Sequence, residues 1–315
     1  MKKFLIKVFV FVLIIAVLTV ALNYVYMKRD KSDLDYTRKY DSMPEKIVLC
    51  NFGSSHGQYD FNYEGMEDRC FNFALPSQMP SYDLRLFEYY KDRFSNGAVA
   101  FIPVSYFSIF GTTESEDDGF LKKNKRYYRI LPASAIKEYD IKTDLYVRYL
   151  PSITAGEDFF ITVFTDTSTP VDSRWYTKAS DKDITDDTYT MFSRQIVNYV
   201  YDKNGEIIVN DEEIGAIKEL ISLCRENNVR PILVTTPYLH DYTDIIRENY
   251  PDFFERFDAK VNEIVQETGV EYYNYAFDDR FINSRDWFFN CDHLNNTGAK
   301  VFVATLLSDT GISVS

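Results

Sequence analysis

Short apolar segments alternate with amphipathic helical segments along much of this chain, and this alternation most constrains its fold. The first apolar segment is KIVLCNF, which leads into the turn GSSHG. The same form recurs in RCFNFALPSQ and GAVAFIPVSYF, with the helical segment SYDLRLFEYYKDRF between them. Strands that alternate with helices predict a parallel sheet covered by helices on both faces. The turns would then meet at the carboxyl edge of the sheet, where such folds bind ligands.

The alternation returns after residue 210. The helical segment NDEEIGAIKELISLCRENNV precedes the strand RPILVTTPY, a helix at roughly 252–268 precedes VEYYNYAF, and a last helix starts near Asn296. Between residues 111 and 210 the pattern loosens. Because this segment is too long for a loop, we expect a helical insertion that covers a site.

The N-terminal segment 8–27, VFVFVLIIAVLTVALNYVYM, holds only Thr19 and Asn23 as clearly polar residues. At about 1.5 Å per residue it reaches roughly 30 Å, the thickness of the hydrocarbon core of a bilayer. A cleaved signal peptide is the alternative, but no A-x-A-like cleavage site follows. We therefore expect an uncleaved signal anchor.

The anchor sets the expected domain organisation. Residues 1–27 form a cytoplasmic stub and transmembrane helix, 28–45 a charged linker, and 46–315 one globular domain with an insertion at about 111–210. A short basic N-terminus ahead of a first helix usually stays in the cytoplasm. We therefore expect a single-pass protein of the cell membrane whose globular domain is extracytoplasmic.

Composition narrows the classes of partner. The net charge of -13 argues against a nucleic-acid partner, which needs a basic face to neutralise phosphates. The four cysteines show neither a C-x-x-C pair nor metal-ligand spacing, so no metal is expected. Cys50 and Cys224 lie in apolar or helical settings typical of buried thiols, whereas a disulfide that involves Cys70 stays open.

The three histidines are the candidate bases. His56 lies in the opening turn, His240 follows the fourth predicted strand, and His293 precedes the last helix. All three fall near the carboxyl edge of the predicted sheet, where a nucleophile and a base could meet. For His56 a hydrogen bond to backbone is the simpler expectation, and for His240 a solvated loop.

Two segments together, NFGSSHG and NCDHLNNTGA, resemble the first and last blocks of the SGNH (GDSL-like) hydrolase superfamily. In its first block the catalytic serine follows a strand in a Gly-Asp-Ser turn, which Gly53, Ser54 and Ser55 match in position. The resemblance covers about 46–106 and 211–310. It implies an SGNH-like, flavodoxin-like α/β fold, with Ser55 as the nucleophile and His293 as the base.

The last block of the family is Asp-x-x-His, and here the chain departs from it. Asn290 stands three residues before His293, while Asp292 is directly adjacent. The residue that orients the base must accept a hydrogen bond from the imidazole and stabilise its positive charge, which a carboxylate does better than an amide. Asp292 is therefore ranked first, with Asn290 by alignment and Asp286 by chemistry as alternatives.

The oxyanion-binding residues of the family also differ. Ser77 stands at the strand-end turn where the second block has a Gly, and Asn72 is the nearest amide. Ser105 takes the Asn position of the third block. The resemblance thus implies that Ser77, Ser105 or Asn72 joins the Ser55 backbone N–H in binding an oxyanion or substrate.

An anchor, an SGNH-like domain and a large insertion are together similar to envelope O-acylation proteins. These include the D-alanyl-transfer protein of teichoic-acid operons and the alginate O-acetylation proteins, which work beside a membrane-bound O-acyltransferase. The similarity implies a serine acyltransferase or esterase, without a cofactor, that acts on O-acyl groups of an envelope polysaccharide or teichoic-acid-like polymer. The alternative from another class is a non-catalytic polymer-binding or scaffold protein, and a secreted lipase is a third possibility.

Overall fold

The computed structural model describes residues 1–29, 37–111, 124–153, 155–165 and 187–314. It divides into two compact units. Met1–Ser42 and Glu116–Val171 form what we name the anchor unit, and Met43–Ser115 and Asp172–Ser315 form the sheet unit. The segment that the sequence predicts as one insertion, 111–210, therefore contributes to both units.

The described α-helices are α1 (Lys2–Arg29), α2 (Ser55–Asp60), α3 (Pro80–Tyr90), α4 (Tyr106–Ile109), α5 (Ile141–Tyr149), α6 (Glu157–Phe164), α7 (Asp211–Glu226), α8 (His240–Asn249), α9 (Phe253–Thr268) and α10 (Asn296–Thr310). The strands are β1 (Ile47–Asn51), β2 (Cys70–Asn72), β3 (Phe94–Pro103), β4 (Arg230–Thr235) and β5 (Glu271–Asn274). A π-helix spans Phe192–Val200, and short 3₁₀ turns include Pro151–Ile153 and Arg285–Trp287.

The strands of the sheet unit form a parallel sheet in the order β2-β1-β3-β4-β5. Leu49 pairs with Cys70 on one side and with Val99 on the other, and Ile232 pairs with Glu271 at the far edge. This is the flavodoxin-like order, whose ligand crevice lies at the carboxyl ends of β1 and β3. The predicted α/β fold with a helix-flanked parallel sheet is confirmed.

Both faces of the sheet are buried, which explains why its strands read as nearly continuous apolar runs. On one face, residues two apart in β3 and β4 pack with Phe302 and Leu306 of α10. On the other face, Cys50, Ala100 and Leu233 are also fully buried. All four cysteines are buried and free, so the open possibility of a disulfide from Cys70 is not realised.

The anchor unit is organised around α1. Among the described residues, α1 is the helix that is long and apolar enough to cross a membrane, with a mean hydropathy of 3.0 over its most apolar window. It runs on to Arg29, two residues past the predicted end of the apolar segment. Of the predicted linker, residues 30–36 lie outside the described residues, and Lys39–Ser42 form a 3₁₀ turn.

Candidate active site

Two glycines allow β1 to turn sharply into α2. Gly53 has a φ of +105°, and a Cβ atom there would press on the ring of Pro103. Its N–H donates to Oδ1 of Asp83 at 2.9 Å. Gly57 lies where a Cβ would overlap the backbone carbonyl of Phe52. The absence of side chains thus lets α2 start against the carboxyl end of β1.

Ser55 is the first residue of α2, and its hydroxyl faces His293. The distance from Ser55 Oγ to His293 Nε2 is 2.8 Å, although the two residues are far apart in sequence. Ser55 is partly exposed and His293 is buried. Ser54, which precedes Ser55, is the N-cap residue of α2, but its side chain makes no capping hydrogen bond. The structure therefore brings together the two residues that the sequence analysis paired.

The loop that carries His293 is folded by Asn290. Oδ1 of Asn290 accepts the backbone N–H groups of Asp292 at 3.2 Å and His293 at 2.8 Å. The following N–H, of Leu294, donates to Oδ1 of Asp60 at 2.8 Å. Because Asp60 ends the helix that Ser55 begins, α2 contacts the loop at both ends, which holds the serine and the histidine in register.

Nδ1 of His293 faces two acceptors. Asn290 Oδ1 lies 3.2 Å away with the geometry of a hydrogen bond. Asp292 Oδ1 lies closer, at 2.8 Å, but outside hydrogen-bond alignment, so it becomes an ion-pair partner only when the imidazole is protonated. Burial alone would raise the pKa of Asp292, but the nearby His293, with smaller contributions from His56 and Gln195, holds it below its ordinary value.

Gln195 holds the Asp292 carboxylate and is itself held by Tyr242, and neither residue was predicted from the sequence. Gln195, on the π-helix, donates from Nε2 to Asp292 Oδ2 at 3.0 Å. Its Oε1 accepts the hydroxyl of Tyr242, a fully buried residue on α8. These contacts form a series from Tyr242 through Gln195 to Asp292. The series ends at Nδ1 of His293, whereas Ser55 lies at Nε2 of the same ring.

The ring of His293 is held between two other rings. His56 stacks on it with ring centroids 4.7 Å apart, and Phe289 stacks at 5.4 Å. Tyr59 meets its edge at 5.4 Å. Three ring contacts on one imidazole restrict its rotation, so its two nitrogens stay directed at Ser55 and at the acceptor pair.

His56 is buried beside Asp292, with its Nε2 4.0 Å from Asp292 Oδ2. A hydrogen bond with the Asp292 backbone, the kind of bond expected from sequence, favours the charged ring, but it is a minor influence on the pKa of His56. Burial, aided by repulsion from His293, lowers the pKa of His56 to about 3. His56 is therefore neutral at physiological pH and contributes a ring face rather than a base.

Among the described residues, His56, Asp292 and His293 also offer ligand atoms within 4.8 Å of one another, the pattern of a metal cluster. The two imidazoles, however, are stacked with an interplanar angle of 23°. Lone pairs in the planes of stacked rings run side by side, whereas a tetrahedral zinc site needs ligands that converge. The arrangement of these three residues therefore does not fit a tetrahedral zinc site.

The remaining predicted site residues lie as follows. Asn72 ends β2, and its Nδ2 donates to the carbonyls of Gly57 at 2.8 Å and Phe61 at 3.2 Å, so its amide hydrogens support α2. Ser77 is exposed in the next turn with a φ of +57°, the left-handed conformation that usually requires glycine.

Ser105 is buried after β3, where its N–H donates to Ser108 Oγ at 2.9 Å as α4 begins. Asp286 is exposed, in contrast to the buried Asp292. His240 is not on a loop as expected, because it begins α8 and pairs with Asp241 at 3.4 Å. These three residues are not among the partners of His293 described above.

The chain matches no family model and no curated protein sequence. It is similar to a crystal structure at 2.00 Å resolution of a protein described as a "putative acylhydrolase" from Bacteroides fragilis NCTC 9343. The identity is 11%, the match covers 87% of this chain and 95% of that chain, and the TM-score is 0.39. Because this likeness is weak, the chemistry of the site has to be inferred from its geometry.

Proposed function

We propose that this chain is a serine acyltransferase or esterase that acts on O-acyl groups of a cell-envelope polysaccharide. One observation carries the proposal: Ser55 Oγ lies 2.8 Å from His293 Nε2, while Nδ1 of the same ring faces Asn290 and Asp292. A serine bonded to a histidine that is oriented by a third group is the arrangement of an activated nucleophile.

In the first half of the reaction, Ser55 Oγ attacks the carbonyl carbon of an acyl ester and its proton passes to His293 Nε2. The resulting imidazolium is stabilised by the Asp292 carboxylate and keeps its Nδ1–H on Asn290. As the tetrahedral intermediate collapses, the ester C–O bond breaks and the leaving alcohol takes the proton from Nε2. The products are the free alcohol and an acyl ester on Ser55.

In the second half, a hydroxyl group attacks the acyl-Ser55 carbonyl. His293 Nε2 removes the proton from the attacking group and returns it to Ser55 Oγ as the acyl bond breaks. If the attacking group is water, the chain is an esterase that releases a carboxylic acid. If it is a sugar hydroxyl, the chain is an acyltransferase that forms a new ester.

The oxyanion that forms in each half needs hydrogen-bond donors. The Ser55 backbone N–H is one candidate donor, because the first N–H groups of a helix have no partner within it. The amide hydrogens of Asn72 are already donated to the carbonyls of Gly57 and Phe61. Ser77 and Ser105 therefore remain as the side-chain candidates for the second donor. One such donor contributes about 10²–10³ in kcat in serine hydrolases.

The location and the substrate are the finer parts of the proposal. The apolar helix α1 supports a single-pass membrane anchor, with the sheet unit on the extracytoplasmic side. There the acceptor would be an envelope polysaccharide or teichoic-acid-like polymer, and a membrane-bound O-acyltransferase would supply the acyl group. The alternative, a non-catalytic polymer-binding or scaffold protein, is favoured by two departures from the family pattern, Asn290 and Ser77. The Asp292 carboxylate beside His293 weakens the first of these two reasons.

The test compares two neighbouring serines in the full chain. With an activated acetyl ester and with O-acetylated polysaccharide as substrates, Ser55→Ala should lower turnover at least about 10³-fold. Ser54→Ala is the matched control, because Ser54 makes no capping bond, and it should stay near wild type. Equal envelope acylation in cells that carry wild type or Ser55→Ala would support the scaffold alternative.

A further inference from the structure

The anchor unit exposes an apolar stripe on α5. Ile141, Leu145 and Tyr149 recur at every fourth residue and are all exposed, and Ile153 continues the series in the next turn. Side chains spaced by four lie on one side of a helix. The opposite side of α5 contains the buried Val147. This helix therefore has an apolar side that its own unit leaves uncovered.

The helix α6 is apolar on two sides. Phe159 and Val163 pack on α1, and the ring of Phe159 stacks on Tyr26 at 5.1 Å. Phe160 and Phe164 point elsewhere and are 60% and 70% exposed. The first turn of α6 carries the acidic residues Glu157 and Asp158, and the rest of the helix, FFITVF, is apolar except for Thr162. An apolar segment that already packs on α1 by one side and exposes another needs a second apolar environment for that side. With eight residues, α6 is too short to span a bilayer.

Both features lie at the C-terminal end of α1. The α6 helix packs on α1 from Leu22 to Tyr26, and the Arg29 guanidinium donates to the Val163 carbonyl at 2.8 Å. The N–H of Ser152, in the turn that follows α5, donates to Oδ1 of Asn23 at 2.8 Å. This hydrogen bond explains how the polar side chain of Asn23 is accommodated in the apolar helix α1.

The depth of these contacts can be estimated from α1 itself. Leu22 lies seven residues before Arg29, which is about 10 Å along the helix axis. Lys28 and Arg29 are the basic residues of the last turn, where a membrane-spanning helix meets the headgroups. Helices that lie in the membrane interface bury their apolar face by about 5–10 Å into the boundary between headgroups and acyl chains.

We propose that α5 and α6 lie in the interface of the membrane that α1 crosses, with their exposed apolar side chains among the lipid acyl chains. The occupant of this surface is thus the bilayer and not a partner protein. The surface is continuous with α1, whose own exposed apolar side chains face the same lipid. The proposal requires that α1 spans a membrane but is independent of the chemistry at Ser55, so either can fail without the other.

Depth-dependent fluorescence quenching tests this proposal on the full chain in lipid nanodiscs. Phe160→Cys, Phe164→Cys and Leu145→Cys are labelled one at a time with an environment-sensitive fluorophore. The native cysteines are buried in the folded protein and leave a low labelling background. Val12→Cys, in the middle of α1, is the lipid reference, and Glu219→Cys, on the surface of α7, is the aqueous reference.

Lipids with a nitroxide near the headgroup should quench the three probes, and aqueous iodide should quench them at least about fivefold less than the Glu219 probe. Three sites guard against one misfolded variant. Iodide quenching equal to that of the Glu219 probe would overturn the proposal, because the helices would then face water. Protection from both quenchers would also overturn it, because a protein surface would then cover the helices.

Discussion

Nδ1 of His293 forms its hydrogen bond with Oδ1 of Asn290, at 3.2 Å, where the sequence resemblance implied an aspartate. The carboxylate comes instead from Asp292, 2.8 Å from the same nitrogen but off the hydrogen-bond axis. In an ordinary triad one residue both orients the histidine and stabilises its charge. Here the two tasks are divided between an amide and a carboxylate.

Asp292→Asn separates charge from shape. It removes the negative charge beside His293, so the imidazolium formed during catalysis loses its main stabilisation. We expect kcat to fall at least about 100-fold with little change in KM. Steady-state kinetics with an activated acetyl ester measure this. A kcat within threefold of wild type would show that the Asp292 charge is not used.

Asn290→Ala removes the acceptor of the His293 ring and of two backbone N–H groups. Because these groups are buried, we expect a loss of about 1–3 kcal/mol in the free energy of unfolding together with about a tenfold loss of kcat. Asn290→Asp restores an acceptor and should recover most of the activity. Equal activity of the alanine variant and wild type would remove Asn290 from the site.

Gln195→Met tests whether the insertion contributes a positioning residue. The variant keeps a similar length but loses the bond to Asp292 Oδ2, so the carboxylate is free to shift. We expect about a tenfold lower kcat with unchanged KM, and a similar but smaller effect for Tyr242→Phe. A double-mutant cycle should show that the two effects are not additive. Additive effects would mean that the two residues act separately.

The buried carboxyl group of Asp83 should make the free energy of unfolding depend on pH. Burial, opposed by hydrogen bonds from Gly53 and Gln78, raises the pKa of Asp83 from 3.8 to about 7. The folded protein holds this proton more tightly than the unfolded chain does. The contribution of Asp83 to the free energy of unfolding should therefore fall as pH rises from about 4 to about 7, by at most about 4 kcal/mol.

Asp83→Asn keeps the acceptor for Gly53 and removes the titration. Denaturant unfolding at several pH values should therefore show less loss of stability above pH 5 for this variant than for wild type. The exposed Asp68→Asn is the matched control and should follow wild type. Identical pH profiles for Asp83→Asn and wild type would contradict the assignment.

Local patterns made part of the site predictable from sequence. The strand before Gly53 is recognisable as an apolar run in the sequence. The helix after Asn295 is recognisable from its N-cap residue, since the Asn295 side chain accepts the Gly298 N–H. Ser77 has a φ of +57° in the turn after β2, which is the left-handed conformation that glycine adopts most readily. The position of that turn was therefore predictable from sequence, although its residue is not a glycine.

Long-range contacts were not predictable. Gln195 lies 97 residues from Asp292 in sequence, and no motif surrounds it. Phe192, Ile196 and Val200 recur at every fourth residue, so the sequence does indicate a helix there, but not what it approaches. Asn290 and Asp292 both reach His293 because the Asn290 side chain bends the loop, which spacing alone does not show.

The site of covalent attachment of a fluorophosphonate to the full chain most directly tests the central claim that Ser55 is a nucleophile activated by His293. Tandem mass spectrometry can distinguish Ser54 from Ser55 within one peptide. We predict a single adduct on Ser55 Oγ that is kept in Ser54→Ala and lost in Ser55→Ala and His293→Ala. An adduct elsewhere, or no adduct on the folded wild-type chain, would contradict this account.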